Sequence, residues 1–176
     1  MKIFIISGKA RHGKDTTANI IDNYYIKNGK KVINLQYSYY LKEYAKRITG
    51  WDGSDKTKPR ELLQYLGTEF IRNEIDNLFF VNRMIEDIKV YSKYFDVATI
   101  SDARLVEEID ELKKVFDDVC AIKVVRPNFD NGLSVEQQKH KTEIALDNYD
   151  KIDQVIFNDG TIEDLEKKVE KLLEVI

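Results

Sequence analysis

Lys2-Ile3-Phe4-Ile5-Ile6-Ser7-Gly8-Lys9-Ala10-Arg11-His12-Gly13-Lys14-Asp15-Thr16-Thr17 is the stretch that decides the fold of this chain. Four consecutive apolar residues read as a buried strand, and the Gly-x-x-x-x-Gly-Lys run behind them reads as a phosphate-binding loop that opens a helix. Gly8 and Gly13 let backbone N–H groups turn inward around phosphate oxygens, and Lys14 reaches the terminal phosphates from the first helical turn. A G-x-x-x-x-G-K match arises by chance in roughly 5% of chains of this length, and its place between a strand and a helix makes coincidence rarer still. Arg11, His12, Thr16 and Thr17 belong to the same loop and turn. The stretch predicts a nucleoside triphosphate site.

Asp15 stands where a Ser or Thr usually gives a hydroxyl to Mg²⁺. A carboxylate beside a triphosphate is unfavourable unless a metal or a basic group offsets it. Asp15 is therefore read either as associated with the metal or as an acid favoured by the helix dipole.

Outward from the loop, strand and helix patterns alternate. Helical spacing runs from Thr16 to Tyr25, and Lys31 to Leu35 reads as a strand. Ser38–Thr49, Lys58–Ile75 and Phe79–Tyr91 read as helices, the second interrupted by Gly67, so that residues 36–92 form a helical insertion. Strand patterns return at Phe95–Ile100, Val119–Val125 and Gln154–Phe157. Helices are expected over Leu105–Phe116 and Ser134–Leu146, and after the Thr161-x-x-Asp164 cap. The pattern predicts an α/β fold, a three-layer sandwich of the P-loop NTPase type, with a five-stranded parallel sheet and right-handed crossovers. With 176 residues and 43% hydrophobic content, a single domain spanning 1–176 is expected.

Ligands of such sheets sit beyond the carboxyl ends of the strands. Asp102 and Arg104 follow the strand ending at Ser101 and should emerge beside Lys14. Asp102 is read as a Mg²⁺ or proton acceptor or as the N-cap of the next helix, and Arg104 as a guanidinium aimed at phosphate. Arg60, Gln64 and Arg72 lie in the insertion. Twelve residues of α-helix leave Arg60 and Arg72 roughly 120° apart, so a break or bend at Gly67 is needed if both face one cleft; otherwise they are surface charges. Asn158 and Gly160 follow the last strand and read equally as a base contact or as a turn with a helix cap. Residues 126–147, charged and poor in apolar side chains, read as a lid-like segment or a solvated helix.

A net charge of −3 and a pI near 5.5 argue against a nucleic-acid polymer or an anionic membrane as partner. Cys120 is the only cysteine and lies in an apolar strand pattern, so no intrachain disulfide is possible. With no leader pattern and no apolar run near 18 residues, a cytoplasmic protein is expected. Ten tyrosines permit a homodimer face.

The chain resembles the deoxynucleoside monophosphate kinase family of tailed bacteriophages and prophages. The resemblance rests on the Gly8–Thr17 loop with its Gly-Lys-Asp-Thr ending, on Leu62-Leu63-Gln64-Tyr65-Leu66-Gly67-Thr68-Glu69, on Asp102-Ala103-Arg104-x-x-x-Glu108 and on Asn158-x-Gly160-Thr161. It implies transfer of the γ-phosphoryl of ATP, with Mg²⁺, to a (deoxy)nucleoside monophosphate in a bacterial or phage-infected cytoplasm. By that likeness Arg60, Gln64 and Arg72 bind the acceptor, and Asp102 and Arg104 work between the two nucleotides. Arg126, Lys139 or Lys141 would reach the donor from the lid, although this lid has fewer arginines than those of many nucleotide kinases. Two alternatives are a kinase of another phosphorylated metabolite, of the phosphomevalonate or dephospho-coenzyme A type, and a nucleotide-binding module without transfer activity.

Overall fold

The structure is a computed structural model that describes residues 1–139 and 141–176. The strands β1 (Lys2–Ser7), β2 (Val32–Leu35), β3 (Val97–Ala103), β4 (Val119–Val125) and β5 (Gln154–Phe157) form one sheet in the order β2-β3-β1-β4-β5. Every neighbouring pair is parallel. The alternation of β1 explains the three layers: Ile3 and Ile5 face one side and Phe4 and Ile6 the other, and all four are fully buried.

On one face, α1 (Lys14–Lys27) and α8 (Ile162–Leu173) cover Phe4 and Ile6 through Ala18, Ile21, Leu165, Val169 and Leu173. On the other, α4 (Phe79–Tyr91) and α5 (Val106–Val115) cover Ile3 and Ile5 through Met84, Ile88, Ile109 and Leu112. Truncating one of these buried residues to Ala would cost about 2–5 kcal/mol. The cap expected at Thr161 is present: Thr161 Oγ1 accepts from the Asp164 amide at 3.2 Å, and Asp164 Oδ2 accepts from the Thr161 amide at 3.0 Å.

Three local readings change. The expected helix over Lys58–Ile75 is a short α3 (Arg60–Gln64) that continues as a π-helix over Tyr65–Ile75. The expected helix over Ser134–Leu146 is two short pieces, α6 (Val135–Gln138) and α7 (Lys141–Ile144). Their neighbours tie to separate places: the Gln138 amide side chain donates to Leu133 O, whereas Glu143 and Asp147 reach back to the phosphate loop. Asp102 does not cap α5, where Glu108 accepts the amides of Arg104 and Leu105 instead. The remaining insertion helix, α2 (Ser38–Thr49), matches its expected bounds.

Register places the site. Ser7, the last residue of β1, lies level with Ala103 of β3 and Lys123 of β4. Ile5 pairs with Ile100, so β3 carries one extra residue across Ser101–Asp102, a bulge of the kind that re-aims side chains.

Candidate active site

The loop after β1 is built by its own backbone. A Cβ on Gly8 (φ +144°) would lie 2.4 Å from the Val124 carbonyl oxygen, and one on Gly13 (φ +100°) would lie 2.7 Å from Asn158 Nδ2. Neither position tolerates a side chain. Arg11 also takes a left-handed φ of 62°, rare for a residue with a Cβ, and its guanidinium donates to Asn131 O at 2.9 Å. The next strands hold the loop from above: Asn158 donates to His12 O at 3.0 Å, and the Arg126 amide donates to His12 Nδ1 at 3.1 Å. Burial lowers the His12 pKa, in keeping with a ring nitrogen that accepts.

The cradle is shaped and charged for an anion. Ala10 N–H donates to Glu143 Oε2 at 3.1 Å, and the other oxygen of that buried carboxylate pairs with Arg104. Glu143 thus stands where a phosphate oxygen would be held by a loop amide and a guanidinium. Lys14 folds over the loop and donates to Lys9 O at 2.9 Å. Its pKa is lowered first by burial and then by repulsion from Arg104, so two cations converge on the same space. Thr16 is half-buried in the first turn, whereas Thr17 is fully buried and its hydroxyl has no partner among the described residues.

The bulge in β3 sends Ser101 and Asp102 to different neighbours. Ser101 Oγ donates to Asp15 Oδ1 at 2.7 Å, which turns the exposed Asp15 toward the end of β3. Asp102 receives the amides of Tyr37 at 2.9 Å and Ser38 at 3.0 Å, and the Ser38 hydroxyl at 2.7 Å. It therefore caps α2, not α5. A carboxylate has about four acceptor positions, and these donors fill three of them. The cap of α5 belongs to Glu108, whose Oε2 accepts the amides of Arg104 at 2.6 Å and Leu105 at 3.0 Å.

The insertion meets this edge through Arg72. Its guanidinium donates to Gly67 O at 2.8 Å, pairs with Glu108 Oε1 at 2.8 Å, and lies 4.9 Å from the centre of the Phe80 ring. Arg60 and Gln64 are exposed, and Arg60 makes no ion pair among the described residues. The change of winding reconciles their spacing. At roughly 82° per residue in an i→i+5 helix, the eight steps from Gln64 return Arg72 to within about 30° of Arg60 instead of the 120° of an α-helix.

Past β4, the Arg126 guanidinium lies 3.9 Å from the centre of the Phe129 ring, which meets His12 edge-on. Lys139 and Lys141 are exposed. Gly160 has a turn role: a Cβ there would lie 2.6 Å from the capping Asp164 Oδ2. Cys120 is partly buried, with its thiol pKa pushed up to about 11 by burial, and it lies away from the site. No helix among the described residues is long and apolar enough to cross a membrane.

Sequence reasoning assigned no role to Glu143, Ser101 or Glu108. Glu108 carried a legible signal, three residues beyond Leu105 at capping-box spacing. Glu143 carried none.

The fold is shared with solved kinases of low identity. They include dephospho-CoA kinase from Campylobacter jejuni (14% identity, 99% of this chain and 96% of that one, TM-score 0.56) and shikimate kinase from Aquifex aeolicus (15%, 99% and 97%, 0.53). APS kinase of Mycobacterium tuberculosis, solved in complex with AMPPNP and APS, matches at 16% identity over 98% and 97% with a TM-score of 0.55. Two curated relatives are more similar in sequence. The deoxynucleotide monophosphate kinases of Escherichia phage RB69 and Enterobacteria phage T4 are each 32% identical, over 121 and 123 residues. Those alignments cover 68% and 69% of this chain but 46% and 48% of the relatives, so the chain spans about half the length of the curated relatives it matches. A family model described as deoxynucleotide monophosphate kinase matches residues 24–169, a span that begins after the phosphate loop. By that match over most of its length, the chain belongs to the deoxynucleotide monophosphate kinase family.

Proposed function

We propose that this chain transfers the γ-phosphoryl of ATP to a deoxynucleoside monophosphate, giving the diphosphate. The observation that carries the reading is the Glu143 carboxylate held by the Ala10 amide and Arg104 beside Lys14, an anion already seated in the phosphate loop of a kinase-family chain. In the transfer, loop amides and Lys14 bind the donor phosphates, and Arg104 offsets charge on the phosphoryl in flight.

Asp15 and Asp102 would hold Mg²⁺, which would supply positive charge against the phosphates. Among the described residues no cluster of three His, Cys, Asp or Glu is arranged to hold a metal. That fits an ion bound through one or two carboxylates plus phosphates. The acceptor position of Asp102 that Tyr37 and Ser38 leave unused would be its contact with the ion.

Residues 36–92 are the acceptor-binding insertion in this reading, with Arg60, Gln64 and Arg72 on the monophosphate. Residues 126–147 are a lid over the donor, with Arg126 on its nucleotide and the loop of Asn158 and Gly160 beside it. Closure excludes water, which would otherwise accept the phosphoryl group.

A coupled assay for ADP tests the reading across all deoxy- and ribonucleoside monophosphates, with phosphomevalonate and dephospho-coenzyme A as further arms. ADP formation should require a deoxynucleoside monophosphate. Arg60→Ala should raise the acceptor KM about 10- to 100-fold with the ATP KM unchanged, since a charged contact is worth roughly 1.5–3 kcal/mol. Turnover only with a non-nucleotide acceptor, or with none, would overturn it.

A further inference from the structure

Glu108 is the most deeply buried carboxylate near the site, 2% exposed as a residue, and the transfer as described makes no use of it. Its two oxygens are divided between two regions. Oε1 pairs with Arg72 of the insertion, and Oε2 accepts the Arg104 and Leu105 amides behind β3. Its backbone carbonyl accepts the hydroxyl of the buried Tyr37, whose own amide donates to Asp102. Arg72, Arg104 and Asp102 are thereby joined through one residue.

We propose that Glu108 is a positioning residue for phosphoryl transfer, fixing the acceptor-side guanidinium of Arg72 relative to the donor-side segment that carries Arg104. The inference rests on the functional reading above. A buried ion pair is a poor device for stability, because desolvation cancels most of the attraction and an apolar pair of equal volume does as well. What it provides is geometry. Arg72 is held at three points, by Glu108, by the Gly67 carbonyl and by the Phe80 ring. A guanidinium has five N–H donors, so such clamping still leaves some for a phosphate. A fork fixed in advance loses less freedom on binding than one free to swing.

Two substitutions separate positioning from capping. Glu108→Gln keeps the size and one carbonyl oxygen for the Arg104 and Leu105 amides, but turns an NH₂ toward Arg72, donor against donor. Glu108→Asp keeps the charge and the cap, as Asp164 does at the same third position of α8, but is one methylene too short for Arg72. Binding of each deoxynucleoside monophosphate and of a non-hydrolysable ATP analogue is measured by calorimetry for the wild type, both Glu108 variants, Arg72→Ala and the Arg72→Ala/Glu108→Gln double variant.

The expected result is roughly tenfold weaker monophosphate binding in each Glu108 variant, with analogue affinity unchanged within twofold. The double variant should bind no more weakly than Arg72→Ala alone, since both changes remove one contact. Unchanged monophosphate affinity, additive losses, or equal weakening of both ligands with a fallen melting temperature would overturn the inference. If Glu108→Gln does not fold, Glu108→Asp carries the same comparison. A wild type that binds no monophosphate overturns the functional reading and this inference together, whereas a wild type that binds, with indifferent variants, overturns the inference alone.

Discussion

The proposed donor and acceptor sides of this molecule are held together in opposite ways. The phosphate loop is shaped by backbone, with two glycines that have no room for a Cβ and a left-handed Arg11, and its His12 is tied to the residues that follow β4 and β5. The insertion meets the site through long side chains, with Arg72 clamped and Arg60 extended into solvent. Backbone geometry is rigid and tolerates few residues, whereas side-chain geometry can be retuned one substitution at a time.

The contrast predicts that the largest single loss comes from the donor side. Lys14→Ala should lower turnover about 10²- to 10³-fold, the loss typical of one charged donor to a developing oxyanion. The fold should barely notice, because Lys14 contributes one bond to Lys9 O and sits against Arg104 repulsion. Turnover and thermal melting of the same preparation check both halves. Near-normal turnover in a folded Lys14→Ala protein would break the assignment of the loop as the catalytic half.

The same contrast explains what the sequence could reveal. The loop, its strand and its helix lie within 27 residues, so hydrophobic period and glycine spacing describe them completely. The alternating strands gave the sheet for the same reason. The acceptor side depends on contacts far apart in sequence. Gly67 was legible as an interruption, but the interruption is a change from α to π winding with no stop in the helix. There a Cβ on Gly67 would come within 3.0 Å of Leu41 of α2. Asp102 was legible as a capping residue, yet the helix it caps lies 64 residues earlier, across the bulge in β3. Local pattern cannot name a partner chosen by the fold. Glu143 shows the limit most plainly, since one of several acids in a charged segment becomes significant only when Ala10 and Arg104 are beside it.

Glu143 also offers a smaller, inverse effect on the donor side. Its carboxylate must leave the Ala10 amide and Arg104 before a phosphate can take both. Gln at that position retains an oxygen but forfeits the charge, and charge-assisted bonds are about twice as strong as neutral ones. Glu143→Gln should therefore tighten ATP-analogue binding roughly three- to tenfold by calorimetry, about 1 kcal/mol. Weaker binding would mean that Glu143 assists the ligand, and would move it from competitor to contact.

The last expected effect is a pH dependence of stability centred on Glu108. Burial pushes the Glu108 carboxyl up from 4.5 to about 7, with the nearby Asp102 adding to the rise and the Arg104 amide and Arg72 opposing it. Tyr37, itself buried and held protonated, is the other titratable group against it. A raised acid binds its proton more tightly folded than unfolded, so its contribution to stability is complete below pH 4.5 and is lost as pH rises to about 7. Glu108→Gln has no such proton. The melting temperature of the wild type minus that of Glu108→Gln should therefore fall between pH 4.5 and 7 and stay level above. Taking the difference cancels His12 and the other groups that do not interact with Glu108. A difference that rises with pH would mean that Arg72 outweighs burial and holds Glu108 ionised throughout. The acceptor side would then be as electrostatically fixed as the donor loop is sterically fixed, and the division between the two halves would be one of means and not of rigidity.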